Sequence, residues 1–336
     1  MKSKSFIAVT VIIAVLAFVG AFKTSAAYAD VAARTLKLAH VLPVGSNFDV
    51  GANKFKDIIA KSSKGKIKVE IYAGDMTGDE VEAAEMTRAG NLDIAWVSTG
   101  SLSAFVKDLM LLDMPFLFRD TNHVNKVLNG PVGEEILKKF DGTKLKAIAF
   151  AEDGWREITN NKRPIKTLAD LKGIKLRTMM NDMNADMYKA LGAIPTPIPS
   201  GEIYSSIQTG LVNGQDNGVY VANSVGYIAI QPYVCMIQHF YSSGLVLVSE
   251  KLWNKLNAEE KKLIKDAARE AGQYQRNWFW KTETDLAKKL ASEGKVTLTY
   301  PKDRDAWVKA VEPVYKKYFA EYPHWKPIVD KIRKTK

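Results

Sequence analysis

Short apolar stretches alternate with amphipathic ones from Thr35 onward, and few folds are compatible with that order. The pattern predicts strands at 36–41, 66–72 and 93–97 and helices at 49–62 and 79–89. Such an order is typical of a mostly parallel sheet with helices on both faces. Because ligands bind these sheets at the carboxyl ends of the strands, the loops after Val41, Tyr72 and Val97 are the first candidates for a binding site.

A second alternating unit begins after a break at Asp141 and Gly142. Extended segments are predicted at 145–151, 156–160 and 175–178, helices at 184–191 and 202–209, and a further strand at 245–249. At 336 residues the chain exceeds the usual size of one domain, so we interpret this unit as the basis of a second α/β lobe.

The segment after Asn257 predicts one long helix. Asn257 and Glu260 form a capping-box pattern, and the residues from there to Ser292 contain no proline and a single glycine, Gly272. At 1.5 Å per residue this helix would span roughly 50 Å, longer than either lobe, so we expect it to bridge both. The predicted fold is α/β and bilobed, with a ligand cleft between lobe 1 (30–153 plus 243–281) and lobe 2 (154–242 plus 282–336).

The N-terminus has the pattern of a secretory signal. Lys2 and Lys4 precede an apolar run at 6–22, and the small residues around Ala29 suit cleavage there. We therefore expect residues 1–29 to be a signal peptide and the mature protein to be periplasmic. An uncleaved anchor helix is the alternative, because 17 apolar residues approach the length of a membrane span.

The cysteine count and the charge narrow the class of protein further. Cys235 is the single cysteine, which excludes an intramolecular disulfide. Removal of residues 1–29, which hold three lysines and no acid, lowers the formal net charge from +11 to +8. The basic residues are scattered and match no nucleic-acid-binding motif, so we expect no nucleic-acid partner. Two interpretations remain, a lysine-rich solvated surface and mild steering of an anionic ligand.

Common catalytic motifs are missing from the sequence. It contains no Gly-x-Ser-x-Gly, His-Glu-x-x-His, phosphate-binding or dinucleotide-binding motif, and none of the four histidines is spaced from another as a metal ligand. We expect no enzymatic activity, no cofactor and no metal. His40 ends the first predicted strand, so it is either a contact in the cleft or a core residue.

Several segments together resemble one family. They are residues 171–177 (LKGIKLR), 192–197 (GAIPTP), 202–204 (EIY), 208–217 (QTGLVNGQDN), 113–118 (DMPFLF) and 154–156 (GWR). In this order they resemble the solute-binding proteins of tripartite ATP-independent periplasmic (TRAP) transporters, in the DctP-like branch. The resemblance implies a bilobed periplasmic binding protein that delivers an organic anion to TRAP permease subunits driven by an ion gradient. We expect it to be a monomer.

Arg177 is the strongest candidate for binding an anion. It lies at the end of a predicted strand, where its planar guanidinium can hold a carboxylate through two parallel hydrogen bonds. The resemblance assigns it that role. The alternative is a surface arginine in an ordinary salt bridge.

Two further polar residues are assigned by the resemblance. Arg156 matches a second arginine that contacts the ligand; the alternative is that it pairs with Glu157 or Glu152. Asn217 matches an asparagine that hydrogen-bonds the ligand, although the residues around it also suit a simple turn.

The remaining candidates concern ligand hydroxyl groups and pocket shape. Glu152, Asp153, Ser98 and Thr99 are candidates for binding hydroxyls. Ser200 stands where many relatives carry a bulky aromatic residue, which implies a roomier or more polar pocket. Gly218 replaces a proline common in the family, which implies a looser loop behind Asn217.

These residues favour capture of a small organic acid anion, most simply a sugar acid or hydroxy acid, as the function. A phosphate ester or zwitterion is an alternative ligand, since arginines bind phosphate as readily as carboxylate. The alternative from another class is a periplasmic enzyme that acts on an organic acid with Glu152 or Asp153 as its base.

Overall fold

The computed structural model describes residues 31–336, so the predicted signal peptide at 1–29 lies outside the described residues. The strands are β1 Arg34–His40, β2 Ile67–Ala73, β3 Ile94–Ser98, β4 Leu145–Trp155, β5 Glu157–Asn160, β6 Lys175–Thr178, β7 Ile194–Pro197, β8 Gly214–Asn217, β9 Tyr233–Cys235, β10 Tyr241–Ser249 and β11 Thr297–Thr299. The helices are α1 Asn47–Ser62, α2 Glu80–Ala89, α3 Thr121–Leu128, α4 Pro131–Leu137, α5 Asp182–Ala190, α6 Ile203–Gln208, α7 Val219–Ser224, α8 Glu250–Trp253, α9 Ala258–Ser292, α10 Arg304–Ala310, α11 Glu312–Glu321 and α12 Trp325–Lys334.

The first sheet has the order β2-β1-β3-β10-β4. β1 pairs in parallel with β2 and β3, as the alternating pattern predicts. β10 lies between β3 and β4 and is antiparallel to both. This insertion pairs residues that are at least 86 positions apart, as Tyr241 and Trp155 are, and no local pattern in the sequence indicates it.

The second sheet has the order β11-β9-β5-β8-β6-β7. β6 is parallel to β7 and β8, whereas β5 is antiparallel to β8 and β9. β4 pairs in the first sheet and β5 in the second, with Arg156 at the crossing between them. The chain is thus bilobed and of the α/β class, with helices packed on two sheets that each contain parallel and antiparallel strands.

The long predicted helix is confirmed as α9, which has 35 residues, and both halves of the capping box between Asn257 and Glu260 are formed. Its first half packs in the core of the first lobe through Leu263, Ile264 and Ala271. Its last turns contribute Ala287 and Leu290 to a core cluster around the second sheet. One helix therefore bridges both lobes.

The C-terminal helix α12 contacts residues that we assign to lobe 1. The indole Nε1 of Trp325 donates to Asp108 at 2.8 Å, and Lys331 pairs with Glu135 at 3.1 Å. The lobe boundaries remain a prediction, but these contacts show a further point at which segment 282–336 meets the other half of the chain. Between residues 31 and 336, no helix combines the length and apolarity needed to cross a membrane.

Candidate ligand-binding site

A small, partly open cavity lies where strand ends of both sheets meet. Its volume is about 40 Å³. Its lining residues come from both lobes: Val41, Leu42, Glu80, Ser98, Asp153, Arg156, Arg177, Met179, Ser200, Ile203, Asn217, Val221, Val225 and Tyr227. The ends of β1 and β3 both contribute, as expected for ligand sites at the carboxyl ends of strands.

Arg177 is buried in this cavity, with 4% of its surface exposed. Its Nε donates to the Ile198 carbonyl oxygen at 2.8 Å. Within residues 31–336, its two terminal nitrogens form no hydrogen bond and its guanidinium forms no ion pair with an acid. Burial lowers the pKa of Arg177, although the charge of Asp216 acts in the opposite direction. A buried cation in this state is costly unless an anion approaches it.

Arg156 lines the same cavity but has acidic partners within the protein. Its Nη1 lies 3.1 Å from Asp153 Oδ2, and its Nε lies 3.5 Å from Asp216 Oδ2. Its Nη2 also donates to the Asp216 carbonyl oxygen at 2.6 Å. The alternative that it pairs with Glu157 or Glu152 is wrong, because these two aspartates are its partners.

Asn217 ends β8 and lies in the cavity wall. Its Nδ2 donates to Gln215 Oε1 at 2.5 Å, and Gln215 in turn donates to Thr159 Oγ1 at 2.7 Å. The pairing of β8 with β5 holds the backbone of this segment. These bonds fix the orientation of the Asn217 amide toward the cavity.

The residue after Asn217 is braced from α9. A Cβ at Gly218 would lie 3.1 Å from Glu283 Oε1 and 3.3 Å from the Phe279 ring. Glu283 accepts hydrogen bonds from the backbone of Val219 and of Tyr220, the latter at 2.7 Å. The loop behind Asn217 is thus supported by α9, whose side chains occupy the space that a residue larger than glycine would need at position 218.

Glu80 is a cavity residue that the sequence analysis did not select. Its carboxylate accepts hydrogen bonds from Ser98 N at 2.7 Å, Ser98 Oγ at 2.6 Å and Ser101 Oγ at 2.5 Å. Ser98 lines the cavity, with its hydroxyl bonded to Glu80. In the sequence Glu80 resembles Glu82, since both are acids in the first turn of a helix.

Glu152 does not line the cavity, so its predicted ligand contact is not supported. The pairing of β4 with β10 is irregular at this point, and Asp153 lines the cavity, whereas Glu152 faces Arg276 on α9. There its Oε2 lies 3.3 Å from Arg276 Nε, and burial raises its pKa to about 7.

His40 is also directed away from the cavity. It is fully buried, and its Nε2 lies 3.4 Å from Asp49 Oδ1 on α1. Burial lowers its pKa. Of the two interpretations of His40, the structure supports the core residue, while its neighbour Val41 lines the cavity.

Ser200 lines the cavity in a short helical turn, Ser200–Glu202. Its carbonyl oxygen accepts a hydrogen bond from the Tyr227 hydroxyl at 3.5 Å. Tyr227 is 5% exposed and lines the same wall. An aromatic ring from another part of the chain therefore lies beside the small residue at 200.

In the described part of the chain, no group of three or more His, Cys, Asp or Glu side chains is arranged to hold a metal ion. The charged residues that line the cavity are two arginines and two acids, Glu80 and Asp153, whereas Asp216 pairs with Arg156 and is not part of the lining. A largely buried site with one arginine lacking an acidic partner among the described residues is suited to a small anion.

Comparison with known proteins gives a family that covers most of the chain. The profile of the bacterial extracellular solute-binding protein family 7, DctP, matches residues 38–322. Over 296 residues the chain is 31% identical to the 2,3-diketo-L-gulonate-binding periplasmic protein YiaO of Escherichia coli, covering 88% of this chain and 89% of that protein.

Two solved structures are similar in both fold and sequence. A TRAP periplasmic solute-binding protein from Polaromonas sp. JS666 with bound D-erythronate is 32% identical, with a TM-score of 0.86 over 90% of this chain and 99% of that chain. One from Bordetella, with ligand density interpreted as pantoate, is 35% identical, with a TM-score of 0.85 and the same coverage.

Proposed function

Since this chain belongs to family 7 of the bacterial extracellular solute-binding proteins, we propose that it captures a small organic acid anion between its lobes and delivers it to a TRAP-type membrane transporter. The membership confirms the resemblance inferred from the sequence motifs. The family transports solutes and is not a family of enzymes.

The observation that carries the proposal is the state of Arg177. Its guanidinium is buried, and within residues 31–336 it pairs with no acid. A ligand carboxylate would supply the missing negative charge through two parallel hydrogen bonds. Asn217 would donate to the same carboxylate, and Glu80 would accept from a ligand hydroxyl group.

Contacts between the lobes support capture by closure. The Tyr220 hydroxyl donates to the Gly45 carbonyl oxygen at 2.8 Å, and Asn181 Nδ2 donates to Asp113 Oδ2 at 3.0 Å. Both bonds join residues of lobe 1 to residues of lobe 2 as we divide the chain. A ligand that binds the closed form more tightly shifts the population toward closure.

The relatives support an acid as the ligand. D-erythronate, pantoate and 2,3-diketo-L-gulonate, the compounds named for the three similar proteins, each carry one carboxylate and hydroxyl groups. A sugar acid or hydroxy acid is therefore the class we propose. We also propose a periplasmic monomer from which residues 1–29 are removed.

A thermal-shift screen tests the proposal with three sets of compounds: hydroxy and sugar acids, their phosphate-ester analogues, and zwitterionic amino acids. We expect the melting temperature to rise with the concentration of an acid, because a ligand that binds the native state alone stabilises it. Selective stabilisation by phosphate esters or zwitterions would replace the proposed ligand class.

The enzymatic alternative is tested with the same protein and the best ligand. Mass spectrometry of the ligand recovered after prolonged incubation should show an unaltered compound. Conversion of the acid to a product, in a quantity exceeding the protein, would establish catalysis and overturn the proposal.

A further inference from the structure

Half of the cavity lining is apolar, which restricts the ligand beyond the requirement for a carboxylate. Seven of the fourteen lining residues are apolar or aromatic: Val41, Leu42, Met179, Ile203, Val221, Val225 and Tyr227. Five of them come from lobe 2 as we divide the chain, the same side as Arg177. A ligand held by Arg177 therefore lies directly against an apolar surface.

This surface, which we call the lobe 2 wall, consists of Ile203, Val221, Val225 and Tyr227. Ile203 and Tyr227 belong to the core cluster of the second sheet, and Val225 packs against that cluster. Ile203, Val221 and Tyr227 are buried. Because the wall is one side of a packed core, it cannot rearrange to present polar groups to a ligand.

The polar half of the lining offers few groups to ligand hydroxyls. The Ser98 hydroxyl is bonded to Glu80, and Arg156 is bonded to Asp153 and Asp216. A sugar acid with a hydroxyl on every carbon would leave some of these groups against the lobe 2 wall without partners. Burying an unpaired hydroxyl costs affinity, whereas methyl groups in the same place gain it.

The cavity is also small. Its volume of about 40 Å³ is far below the few hundred Å³ typical of pockets that hold larger ligands. Tyr227 narrows it beside Ser200, where its hydroxyl bonds the Ser200 backbone. A sugar acid with a six-carbon chain has more atoms to accommodate than a four-carbon acid with methyl branches, so the small volume disfavours the longer acid.

Resting on the proposed function, we infer that the ligand is a short, branched hydroxy acid. Its carboxylate binds Arg177, one or two hydroxyls face Glu80 and Asn217, and its methyl groups contact the lobe 2 wall. The wall residues thus determine specificity, and Arg177 provides the binding of the acid group.

Isothermal titration of the full mature chain with three probes tests this inference. The probes are pantoate, which has a four-carbon chain with two methyl branches, D-erythronate, which has an unbranched four-carbon chain with a hydroxyl on each carbon beyond the carboxylate, and D-glucuronate, which has a six-carbon chain. We expect pantoate to bind at least about tenfold more tightly than D-erythronate, and D-glucuronate to bind most weakly.

A matched pair of variants tests the role of the wall. Val221→Thr exchanges a methyl group for a hydroxyl of similar size, so the preference for pantoate over D-erythronate should fall about tenfold or more. Val308→Thr makes the same exchange at an exposed position on α10 and should leave the preference unchanged. Should Val221→Thr fail to fold, Val225→Thr serves the same purpose.

The outcomes separate this inference from the proposed function. Tighter binding of D-erythronate or D-glucuronate by the natural chain would overturn the inference and leave acid capture intact. So would an unchanged preference in the folded wall variant. Failure of every acid to bind would overturn both.

Discussion

Two buried arginines line one cavity, and their surroundings differ in kind. Arg156, at the crossing between the sheets, has Asp153 at 3.1 Å and Asp216 at 3.5 Å. Arg177, at the end of β6, has no acidic partner in the described part of the chain. Burial opposes the charge of both, but the two aspartates raise the pKa of Arg156, whereas the pKa of Arg177 is lowered.

From this difference we infer that Arg156 serves the fold, and the same difference supports the proposal that Arg177 binds the ligand. A buried charge is tolerated when a partner and hydrogen bonds replace its water. For Arg156 these partners are internal, so the group holds strands of the two sheets together. For Arg177 no acidic partner lies among the described residues, so a bound anion would supply the missing charge. We therefore expect a bound anion to stabilise the environment of Arg177 more than that of Arg156.

The largest expected effect is on stability without ligand. Arg156→Met leaves Asp153 and Asp216 buried without their cation, so the free energy of unfolding should fall by about 3–5 kcal/mol. Arg177→Met removes an unpaired buried charge and should change it by less than about 1 kcal/mol, or raise it. Urea denaturation of both variants measures this contrast.

The control for that contrast is Arg88→Met, on the exposed face of α2. This exchange should shift the unfolding transition by about 0.5 kcal/mol or less. Equal losses in Arg156→Met and Arg177→Met would remove the distinction between the two arginines.

Glu157 is a buried acid whose charged form, like that of Arg177, is opposed by burial. It is buried, and burial raises its pKa to about 8, with the nearby charge of Glu283 acting in the same direction and that of Arg304 opposing it. The folded state thus holds this proton more tightly than the unfolded state. Its contribution to stability is present at low pH and is lost between about pH 4.5 and about pH 8, by up to about 1.4 kcal/mol per pH unit.

Glu157→Gln should therefore make the free energy of unfolding less dependent on pH across that range. The matched exchange Glu270→Gln, at an exposed position of α9, should leave the dependence as it is. Urea denaturation in a pH series measures both slopes. Identical slopes in the natural chain and Glu157→Gln would contradict the expectation that the folded protein holds the Glu157 proton more tightly than the unfolded chain.

The next effect concerns Asn217, a neutral residue that lines the same cavity as Arg177. Asn217→Ala removes an amide that we assign to the ligand carboxylate, so the Kd of the best acid from the screen should rise by about tenfold or more. Asn223→Ala, on the exposed side of α7, is the matched control. A change below about twofold in Asn217→Ala would assign this residue to the turn alone.

The smallest expected effect is at Glu283, whose carboxylate accepts hydrogen bonds from the start of α7 behind Asn217. Glu283→Ala should lower the free energy of unfolding by about 1 kcal/mol, as loss of a helix cap does. The Kd of Glu283→Ala should rise by less than the Kd of Asn217→Ala, because the pairing of β8 with β5 still holds the backbone of Asn217. A larger rise in Kd would show that α9 orients Asn217 directly.

Local patterns predicted much of the fold. The alternation from Thr35 indicated β1 to β3, and the capping box at Asn257 indicated the whole of α9. The antiparallel insertion of β10 between β3 and β4 was not predicted, because it depends on pairing between distant segments.

The site was predicted only in part, because some of its contacts also join distant segments of the chain. Arg177 was identified from its place at a strand end and from the family motif. The pairing of Arg156 with Asp216 joins residues 60 positions apart, which no local pattern shows. Glu152 and Asp153 were both named as candidates, because the sequence does not show which of two adjacent strand residues faces the cavity.

The most direct measurement concerns the carboxylate that Arg177 is proposed to bind. Isothermal titration of the natural chain and Arg177→Met, each with the best acid and with its carboxamide, forms a double-mutant cycle. A coupling free energy of at least about 1.5 kcal/mol is expected for a close charge pair. Coupling within about 0.5 kcal/mol of zero would show that the guanidinium and the carboxylate do not interact.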